Sequence, residues 1–269
     1  MQASTIPPDW NLDLRQPGRL GLAGAVAGAL AGAALLASRG PHLVAGGSLP
    51  LLGLTALWLR RRGSRCAGVQ VDHFLRTLEA RDRYTASHCS RVAAFADLIA
   101  EEMGLRNPSR LLHLRVAALL HDLGKIDVPL EILHKPGKLD EAEWEAMRSH
   151  VEAGCRRAAG TRRAICRIIA QHHERPDGKG YPRRLRGDQI CLEARIVAVA
   201  DAFDAMTSDR PYRAALDPEV ALAELLRSSA PGADEQQFDP RVVAALQRRF
   251  AEACLLCTPA SARNASPAA

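Results

Sequence analysis

The feature that most constrains how this chain can fold is a short apolar run, 117–120, that ends in the metal-capable pair His121-Asp122. Further metal-capable side chains occur at His88, His150, the pair His172-His173 and Asp201. Asp201 ends the apolar run 196–200, and a carboxylate buried there needs a partner or a cation, because burying a bare charge is costly. Together these places predict a metal site. For Asp201 the alternative is a helix-end aspartate that faces solvent.

Two of these places are adjacent pairs, His121-Asp122 and His172-His173, each at a predicted boundary between a helix and a loop. On a helix, adjacent side chains diverge by about 100°, so one pair can serve two metals, or Asp122 can bridge them. A single histidine is more often a satisfied core or surface residue than a ligand, but two adjacent pairs favour ligation. Imidazoles and carboxylates without thiolates favour iron, manganese or nickel over a structural zinc.

The pattern of apolar residues predicts helices through most of the chain after residue 83. Aromatic residues make up only 4% of the sequence and alanine is frequent, a balance that favours helices over sheets. Helical spacing and capping signals predict helices over 88–103, 110–122, 141–153, 161–173, 190–208, 218–229 and 240–256, with loop-rich segments at 123–139 and 174–188. Asp140 followed by Glu143 indicates a capping box. Because no sustained strand alternation occurs, we predict an all-α domain.

The positive charge is concentrated near the start of the chain. The formal net charge is +6, and residues 1–65 hold seven arginines against two aspartates, so the remaining 204 residues are close to neutral. A distributed basic face of the kind that binds duplex DNA or RNA is therefore not expected, and we predict no nucleic acid duplex as a partner.

The seven cysteines are scattered singly except for Cys254 and Cys257. An odd count without framework spacing indicates reduced thiols in a cytosolic compartment. The pair resembles half of a zinc site, but the sequence holds no second pair. We therefore favour small apolar side chains on a final helix.

Two uncharged segments predict a membrane hairpin. Residues 20–37 and 43–59 contain no charged residue, and arginines flank both segments at Arg19, Arg39 and 60–62. The lengths suit membrane spans, and the arginine bias places both ends of the hairpin in the cytoplasm. The alternatives are an Ala/Gly-rich soluble hairpin, or a signal peptide for the first run. We predict localisation to the inner (cytoplasmic) membrane, with the helical domain in the cytoplasm.

These patterns divide the chain into a short cytoplasmic leader (1–19), a two-helix transmembrane hairpin (20–62), a junction and connecting helix (63–83), a helical domain (84–257) and a disordered tail (258–269). The tail is rich in Ala, Ser and Pro, a composition typical of disorder. Gly24, Gly28 and Gly32 recur every four residues and mark a helix face that allows close approach of another helix. That face suits packing within the hairpin or a homodimer.

Longer motifs connect these residues to a known family. The motifs are Tyr84-Thr85-x-x-His88, His121-Asp122-x-Gly124-Lys125, Lys135-Pro136-Gly137-Lys138-Leu139, His172-His173-Glu174-Arg175-x-Asp177-Gly178-x-Gly180-Tyr181-Pro182, the stretch from Asp201-Ala202-Phe203-Asp204 to Arg210-Pro211-Tyr212-Arg213, and Phe238-Asp239-Pro240. In this order they resemble the HD-GYP family of cyclic di-GMP phosphodiesterases, a branch of the HD hydrolase superfamily, over roughly residues 70 to 250. The resemblance implies an HD-type helical bundle for the domain at 84–257.

The resemblance also implies roles for single residues. The implied metal ligands are His88, His121, Asp122, His150, His172, His173 and Asp201, with Asp122 as the bridge. Some members hold a third metal through a glutamate at the position of Tyr84, so two divalent ions, iron or manganese, are expected here. Catalytic roles fall to Asp122 and Lys125, and substrate contacts to Tyr181, Arg210 and Arg213. For Lys125 the alternative is a solvated lysine at a helix end.

The implied activity is hydrolysis of cyclic di-GMP to pGpG, and further to GMP. A second reading from the same superfamily is a phosphohydrolase acting on another nucleotide or another cyclic dinucleotide. A third is a catalytically weak sensor of cyclic di-GMP, or a module that docks a diguanylate cyclase partner through the loop 177–182. Pro176 keeps the third reading open, because many family members carry an aromatic residue there.

Overall fold

The regular structure is helical in the part of the chain that the structure describes. The computed structural model describes residues 76–77, 83–209, 213–230 and 235–257. The helices are α1 (Arg83–Glu102), α2 (Pro108–Leu120), α3 (Leu130–Leu133), α4 (Glu141–Arg148), α5 (His150–Arg157), α6 (Arg163–Gln171), α7 (Leu192–Thr207), α8 (Pro218–Ser229), α9 (Pro240–Arg248) and α10 (Phe250–Cys257), with 3₁₀ turns at Leu123–Asp127, Ala158–Gly160 and Gly187–Gln189. The all-α prediction is confirmed for these residues.

Side chains at the helix ends explain where several helices begin. Asn107 accepts from the N–H groups of Ser109 and Arg110, and Asp217 and Asp239 cap α8 and α9 in a similar way. Each of these three helices has proline in its first turn, where the missing N–H group costs nothing. At α4 the predicted capping box between Asp140 and Glu143 is confirmed, with both hydrogen bonds present. These caps are local, so the sequence alone predicts them.

The core forms around α1, which packs against α2, α7, α9 and α10. Phe95 of α1 and Phe203 of α7 are fully buried and meet edge to face, with ring centroids 5.2 Å apart. Helix α2 also packs on α6 and α7, while α5 packs on α6 and on the Leu123–Asp127 turn. The helices and turns that carry the predicted ligands therefore share one core.

Two predicted helices are each broken in the structure. The segment predicted as one helix over 141–153 lies in α4 and α5, and the segment 240–256 lies in α9 and α10. At the first break, the Ser149 hydroxyl donates to the carbonyl of Ala146 at 2.7 Å, a back-bond that commonly bends helices. At the second, Arg249 has φ −104° and ψ 21°, outside helical geometry. The prediction of unbroken helices was wrong because apolar spacing continues across both breaks.

Several other predicted elements lie outside the described residues. These are the leader 1–19, the hairpin 20–62, most of the junction 63–83, the tail 258–269 and Arg210. Across the ranges that are described, none of the helices has the length and apolar character needed to span a bilayer. The hairpin and its topology stay predictions.

Candidate metal centre

The structure brings together all seven residues predicted as metal ligands. His88 lies in α1 and Asp201 in α7, while His150 begins α5. The two adjacent pairs follow helix ends directly, His121-Asp122 after α2 and His172-His173 after α6. Apart from the half-buried His173, each of these residues is buried. Helix ends and helix starts thus deliver the ligands from five separate segments into one interior site.

Asp122 belongs to two clusters of candidate ligands. One cluster contains His88, His121 and Asp122, and the other contains Asp122, His150, His172 and His173; within each, the ligand atoms lie within 4.8 Å of one another. Asp122 Oδ2 lies 3.4 Å from Nε2 of His121 and 3.8 Å from Nε2 of His88. The other oxygen, Oδ1, lies 3.7 Å from Nε2 of His150. One carboxylate therefore presents a different oxygen to each cluster.

Asp201 extends the cluster that contains His88. Its Oδ1 atom lies 3.0 Å from Nε2 of His88 and 3.9 Å from Nε2 of His121. Burial alone would raise the pKa of Asp201, but the hydrogen bond with His88 and the charges of His121 and His88 together outweigh this and hold it at about 2. The sequence-based expectation that this carboxylate is paired is confirmed, and the solvent-facing alternative is wrong.

Three of the histidines are oriented by the helical turn on which they sit. The Nδ1 atoms of His121, His150 and His172 lie 2.8, 2.6 and 2.7 Å from the carbonyl oxygens of Ala118, Met147 and Ile169. A carbonyl only accepts, so Nδ1 carries a proton and Nε2 is the nitrogen left to present a lone pair to a metal. In the described part of the chain, the buried Nε2 atoms of His121 and His172 have no hydrogen-bond partner.

Those lone pairs fit a divalent cation. Buried polar atoms are normally hydrogen-bonded, so two partnerless nitrogens next to a shared carboxylate call for a ligand. His173 Nε2 lies 3.2 Å from His150 Nε2, which places a further imidazole at the same cluster. Neutral imidazoles with carboxylates and no thiolates form a donor set for divalent transition metals. The residues present therefore fit divalent transition-metal ions.

The electrostatic environments of the two clusters differ. Burial lowers the pKa of His150 to about 4 and that of His172 to about 3, so both imidazoles are neutral at neutral pH. Burial acts in the same direction on His88, but its hydrogen bonds with Asp201 and Asp204 outweigh it and raise its pKa to about 9. His88 in one cluster thus binds a proton more tightly than His150 and His172 in the other.

Lys125 reaches the carboxylate that both clusters share. It lies in the Leu123–Asp127 turn, and its Nζ donates to Asp122 Oδ2 at 2.6 Å. Burial favours the neutral form of Asp122, but the charges of Lys125 and His121 hold its pKa well below the usual value. Lys125 therefore interacts with the site, and the alternative of a solvated lysine at a helix end is not what the structure shows.

The glycine-rich loop 174–188 folds back over His173. Glu174 is buried and accepts from the backbone N–H groups of Arg183 and Leu185 at 2.7 and 2.8 Å. The N–H of Tyr181 donates to the His173 carbonyl at 3.1 Å. A Cβ at Gly180 would lie 2.5 Å from that same carbonyl oxygen, so only glycine allows this approach. The Tyr181 ring consequently lies beside His173, with centroids 4.8 Å apart.

Sequence reasoning missed two polar residues at this site. Asp204 accepts from Nδ1 of His88 at 2.7 Å; its position three residues after Asp201 on one helix face was the available signal. The guanidinium of Arg148 lies 6.0 Å from the centre of the Tyr181 ring, and its place two residues before His150 was the corresponding signal. Asp204 and Arg148 thus join the residues around the clusters.

The predicted arginine pair is only half described. Arg213 donates from Nη2 to the carbonyl of Ala205, in the last turns of α7. Arg210 lies outside the described residues. A substrate contact for either residue stays a prediction.

Comparisons with known proteins show what this chain is similar to. The 3′3′-cGAMP-specific phosphodiesterase 3 of Vibrio cholerae is 42% identical over 187 residues, which cover 66% of this chain and 38% of that protein. The cyclic di-GMP phosphodiesterase response regulator RpfG of Xanthomonas campestris is 41% identical over 201 residues, 73% of this chain and 52% of that protein. The chain therefore spans about half or less of the length of these relatives.

A solved structure and a family model complete the comparison. Bd1817, a HDG"Y"P protein from Bdellovibrio bacteriovorus, matches with a TM-score of 0.51 at 20% identity, covering 62% of this chain and 52% of that chain, a likeness that shows the fold alone. The HD domain model matches residues 72–242. The resemblance drawn from the sequence motifs is confirmed. Because the matched segment makes up more than half of the chain, the chain belongs to the HD domain family.

Proposed function

We propose that this chain is a metal-dependent phosphodiesterase that hydrolyses cyclic di-GMP to pGpG, and further to GMP. The observation that carries the proposal is the position of Asp122, which presents Oδ2 to His88 and His121 and Oδ1 to His150. A carboxylate shared in this way suits two adjoining cations. Two-cation sites are typical of enzymes that hydrolyse phosphate esters.

The proposed cofactors are two divalent ions, iron or manganese. His88, His121, Asp122 and Asp201 would hold one ion, and Asp122, His150, His172 and His173 the other. A pair of divalent cations lowers the pKa of a water and neutralises the oxygens of a phosphodiester under attack. Imidazole and carboxylate ligands without thiolates favour iron or manganese over structural zinc.

The surrounding residues are proposed to bind and polarise the substrate. The ammonium of Lys125 stabilises negative charge that develops on the phosphoryl oxygens or on the leaving oxygen. Tyr181 offers a flat ring beside His173, and Arg148 adds a positive charge next to that ring. Arg210 and Arg213 are proposed to contact the second phosphate. Guanidinium groups suit this task because they bind phosphate oxygens in pairs.

A second candidate substrate is 3′3′-cGAMP. The relative from Vibrio cholerae that is 42% identical to this chain is named for specificity toward that cyclic dinucleotide. Both candidates present a phosphodiester to the same clusters and differ in one base. Selectivity between the two cyclic dinucleotides therefore depends on residues around Tyr181 rather than on the residues that hold the metal ions.

The test is a product assay on the purified chain, loaded anaerobically with Fe²⁺ or with Mn²⁺ and offered each cyclic dinucleotide in parallel. We expect pGpG from cyclic di-GMP, with Asp122→Ala as the inactive control. Linear product from 3′3′-cGAMP alone would move the assignment to the second candidate. If the chain binds the nucleotide but forms no product with either metal, the phosphodiesterase proposal is overturned in favour of a cyclic di-GMP sensor.

We also propose that segments 20–37 and 43–59 anchor the protein in the inner membrane. Support comes from their uncharged length and the flanking arginines. A reporter fused after Ala269 should be active only in the cytoplasm, and periplasmic activity would overturn this topology. A homodimer through Gly24, Gly28 and Gly32 and docking of a diguanylate cyclase on 177–182 remain predictions of the sequence.

A further inference from the structure

One histidine of the metal centre is oriented differently from three others. His121, His150 and His172 each donate Nδ1–H to a backbone carbonyl three residues earlier. His88 instead has its Nδ1 atom 2.7 Å from Oδ2 of Asp204, a carboxylate 116 positions away in the sequence. The side chain of Asp204 is only 1% exposed. A carboxylate partner strengthens the ligand nitrogen on the far side of the ring more than a neutral carbonyl does.

Arg91 holds this carboxylate in a fixed orientation. Its Nε donates to Asp204 Oδ1 at 2.5 Å and its Nη2 to Asp204 Oδ2 at 3.0 Å. The same Nη2 donates to the Ser208 hydroxyl at 3.0 Å. Arg91 follows His88 by three residues on α1, while Asp204 lies in the last turn of α7 and Ser208 directly follows the end of that helix. The guanidinium thus fixes the carboxylate of one helix against the histidine of the other.

We propose that Asp204 is the positioning residue for the cation subsite formed by His88, His121 and Asp201, and that Arg91 keeps Asp204 in place. The inference rests on the proposed two-cation site. Asp204 acts through His88, by fixing Nδ1 as the protonated nitrogen and leaving Nε2 as the ligand atom. His121 of the same subsite, and His150 and His172 of the other, use backbone carbonyls for the same purpose. Asp204 therefore supports one of the two ions only.

A purely structural ion pair is the competing explanation, and the chain contains one for comparison. Asp239 is also buried, at 4% exposure, and accepts from Arg195 of α7 at 2.8 Å and from Arg241. In the described residues its side chain accepts from two arginines and from the backbone N–H of Arg241, with no histidine among its partners. Asp239→Asn is therefore a matched control that removes a buried, arginine-bound carboxylate away from the ligands.

The experiment measures bound Mn²⁺ against free Mn²⁺ in the full-length wild-type chain and in Asp204→Asn, together with the electron paramagnetic resonance spectrum. Loss of a carboxylate that supports a metal-bound histidine lowers the affinity for the metal ion by about 10- to 100-fold. In Asp204→Asn we expect the affinity for one of the two Mn²⁺ ions to fall by this factor. The spectrum of a coupled pair of ions should then be replaced by that of an isolated ion. Asp239→Asn should keep both ions.

The other outcomes separate the two proposals. If Asp204→Asn loses affinity for both ions equally, or binds two ions as the wild type does, the positioning role is overturned while the two-cation site stands. A wild-type protein that binds a single ion overturns the two-cation site itself. Should Asp204→Asn fail to fold in a thermal scan without metal, Arg91→Met at the partly exposed end of the network is measured instead. Arg91→Met must lower the affinity for the same single ion.

Discussion

At the scale of single residues, the metal centre divides its work between side chains that hold cations and side chains that adjust their charge. Asp122 lies between the two clusters, and Lys125 donates to the oxygen of Asp122 that faces His88 and His121. A positive charge so close to a shared ligand acts on the reacting phosphate without being needed as a ligand itself.

Replacing Lys125 by alanine should slow turnover by about 100-fold, the usual effect of removing one donor that stabilises transition-state charge. The metal content should stay at the wild-type value, because Lys125 offers no lone pair to a cation while it is protonated. Elemental analysis and kcat on the same sample measure both. Asp122→Ala is the contrast, since it should lose both ions, and equal metal loss in the two variants would contradict the roles assigned here.

Arg148→Ala tests the substrate contact that the sequence did not predict. Hydrogen bonds to charged groups contribute about 1.5–3 kcal/mol, so KM should rise at least tenfold. The expected kcat and metal content are those of the wild type, because Arg148 lies at the Tyr181 ring and outside both clusters. Arg156→Ala, an exposed arginine on α5, is the control and should leave KM unchanged. An unchanged KM in Arg148→Ala would remove this residue from the site.

At the scale of elements, breaks and close approaches position the ligands more than helix length does. The break at Ser149 lets His150 start a new helix. The turn Leu123–Asp127, which follows the His121-Asp122 pair, packs directly on that helix. At Gly124 the approach is so close that a Cβ would lie 1.8 Å from the carbonyl oxygen of His150 and 2.5 Å from the nitrogen of Gly154. Both atoms belong to the backbone and cannot rotate away.

Gly124→Ala should therefore destabilise the fold by about 3 kcal/mol, the upper end of the usual cost of overpacking, and weaken metal binding through the shift of His150. Chemical denaturation gives the loss of stability. Gly104→Ala separates strain from crowding, since Gly104 has φ +73° but nothing within 4 Å of its Cβ position. That variant should cost about 1 kcal/mol and keep both ions. Equal stabilities of the two variants would argue against the close approach.

The same elements show what the sequence could and could not predict. Caps such as Asp140 with Glu143, and the position of the pairs His121-Asp122 and His172-His173 at helix ends, depend on neighbouring residues, and they were predicted correctly. The breaks at Ser149 and Arg249 were missed, because apolar spacing runs on through both. The role of Asp204 was missed for a different reason: its partner His88 is 116 positions away, and only the packing of α1 on α7 joins them.

At the scale of the whole molecule, the metal centre is the place where separate parts of the core meet. Its ligands come from α1, α5 and α7 and from the ends of α2 and α6. In the described residues, the buried Nε2 atoms of His121 and His172 lack a partner, and a buried polar atom left in this state costs about 1–3 kcal/mol. Cations that bind only the folded chain would offset that cost and link the helices.

Removal of metal with a chelator should lower the melting temperature by about 5–10 °C. An ion present at 100 times its dissociation constant stabilises a fold by about 2.7 kcal/mol, and 1 kcal/mol corresponds to roughly 2–4 °C for a domain of this size. Calorimetry before and after chelation measures the shift, and added Mn²⁺ should restore it. A melting temperature that stays constant while the ions are shown to be lost would contradict this account.

The carbonyl partners of His121, His150 and His172 have one more consequence. Each ring takes its partner from the residue three positions earlier in the chain, so its orientation does not depend on packing between segments that are distant in the sequence. A small sliding of α2 or α6 would change the spacing between ligand atoms, while His121 and His172 kept their Nδ1 atoms on the same carbonyls. His88 is the exception, since its partner is 116 positions away. Of these four rings, only that of His88 has an orientation that depends on a contact between distant segments, here α1 on α7.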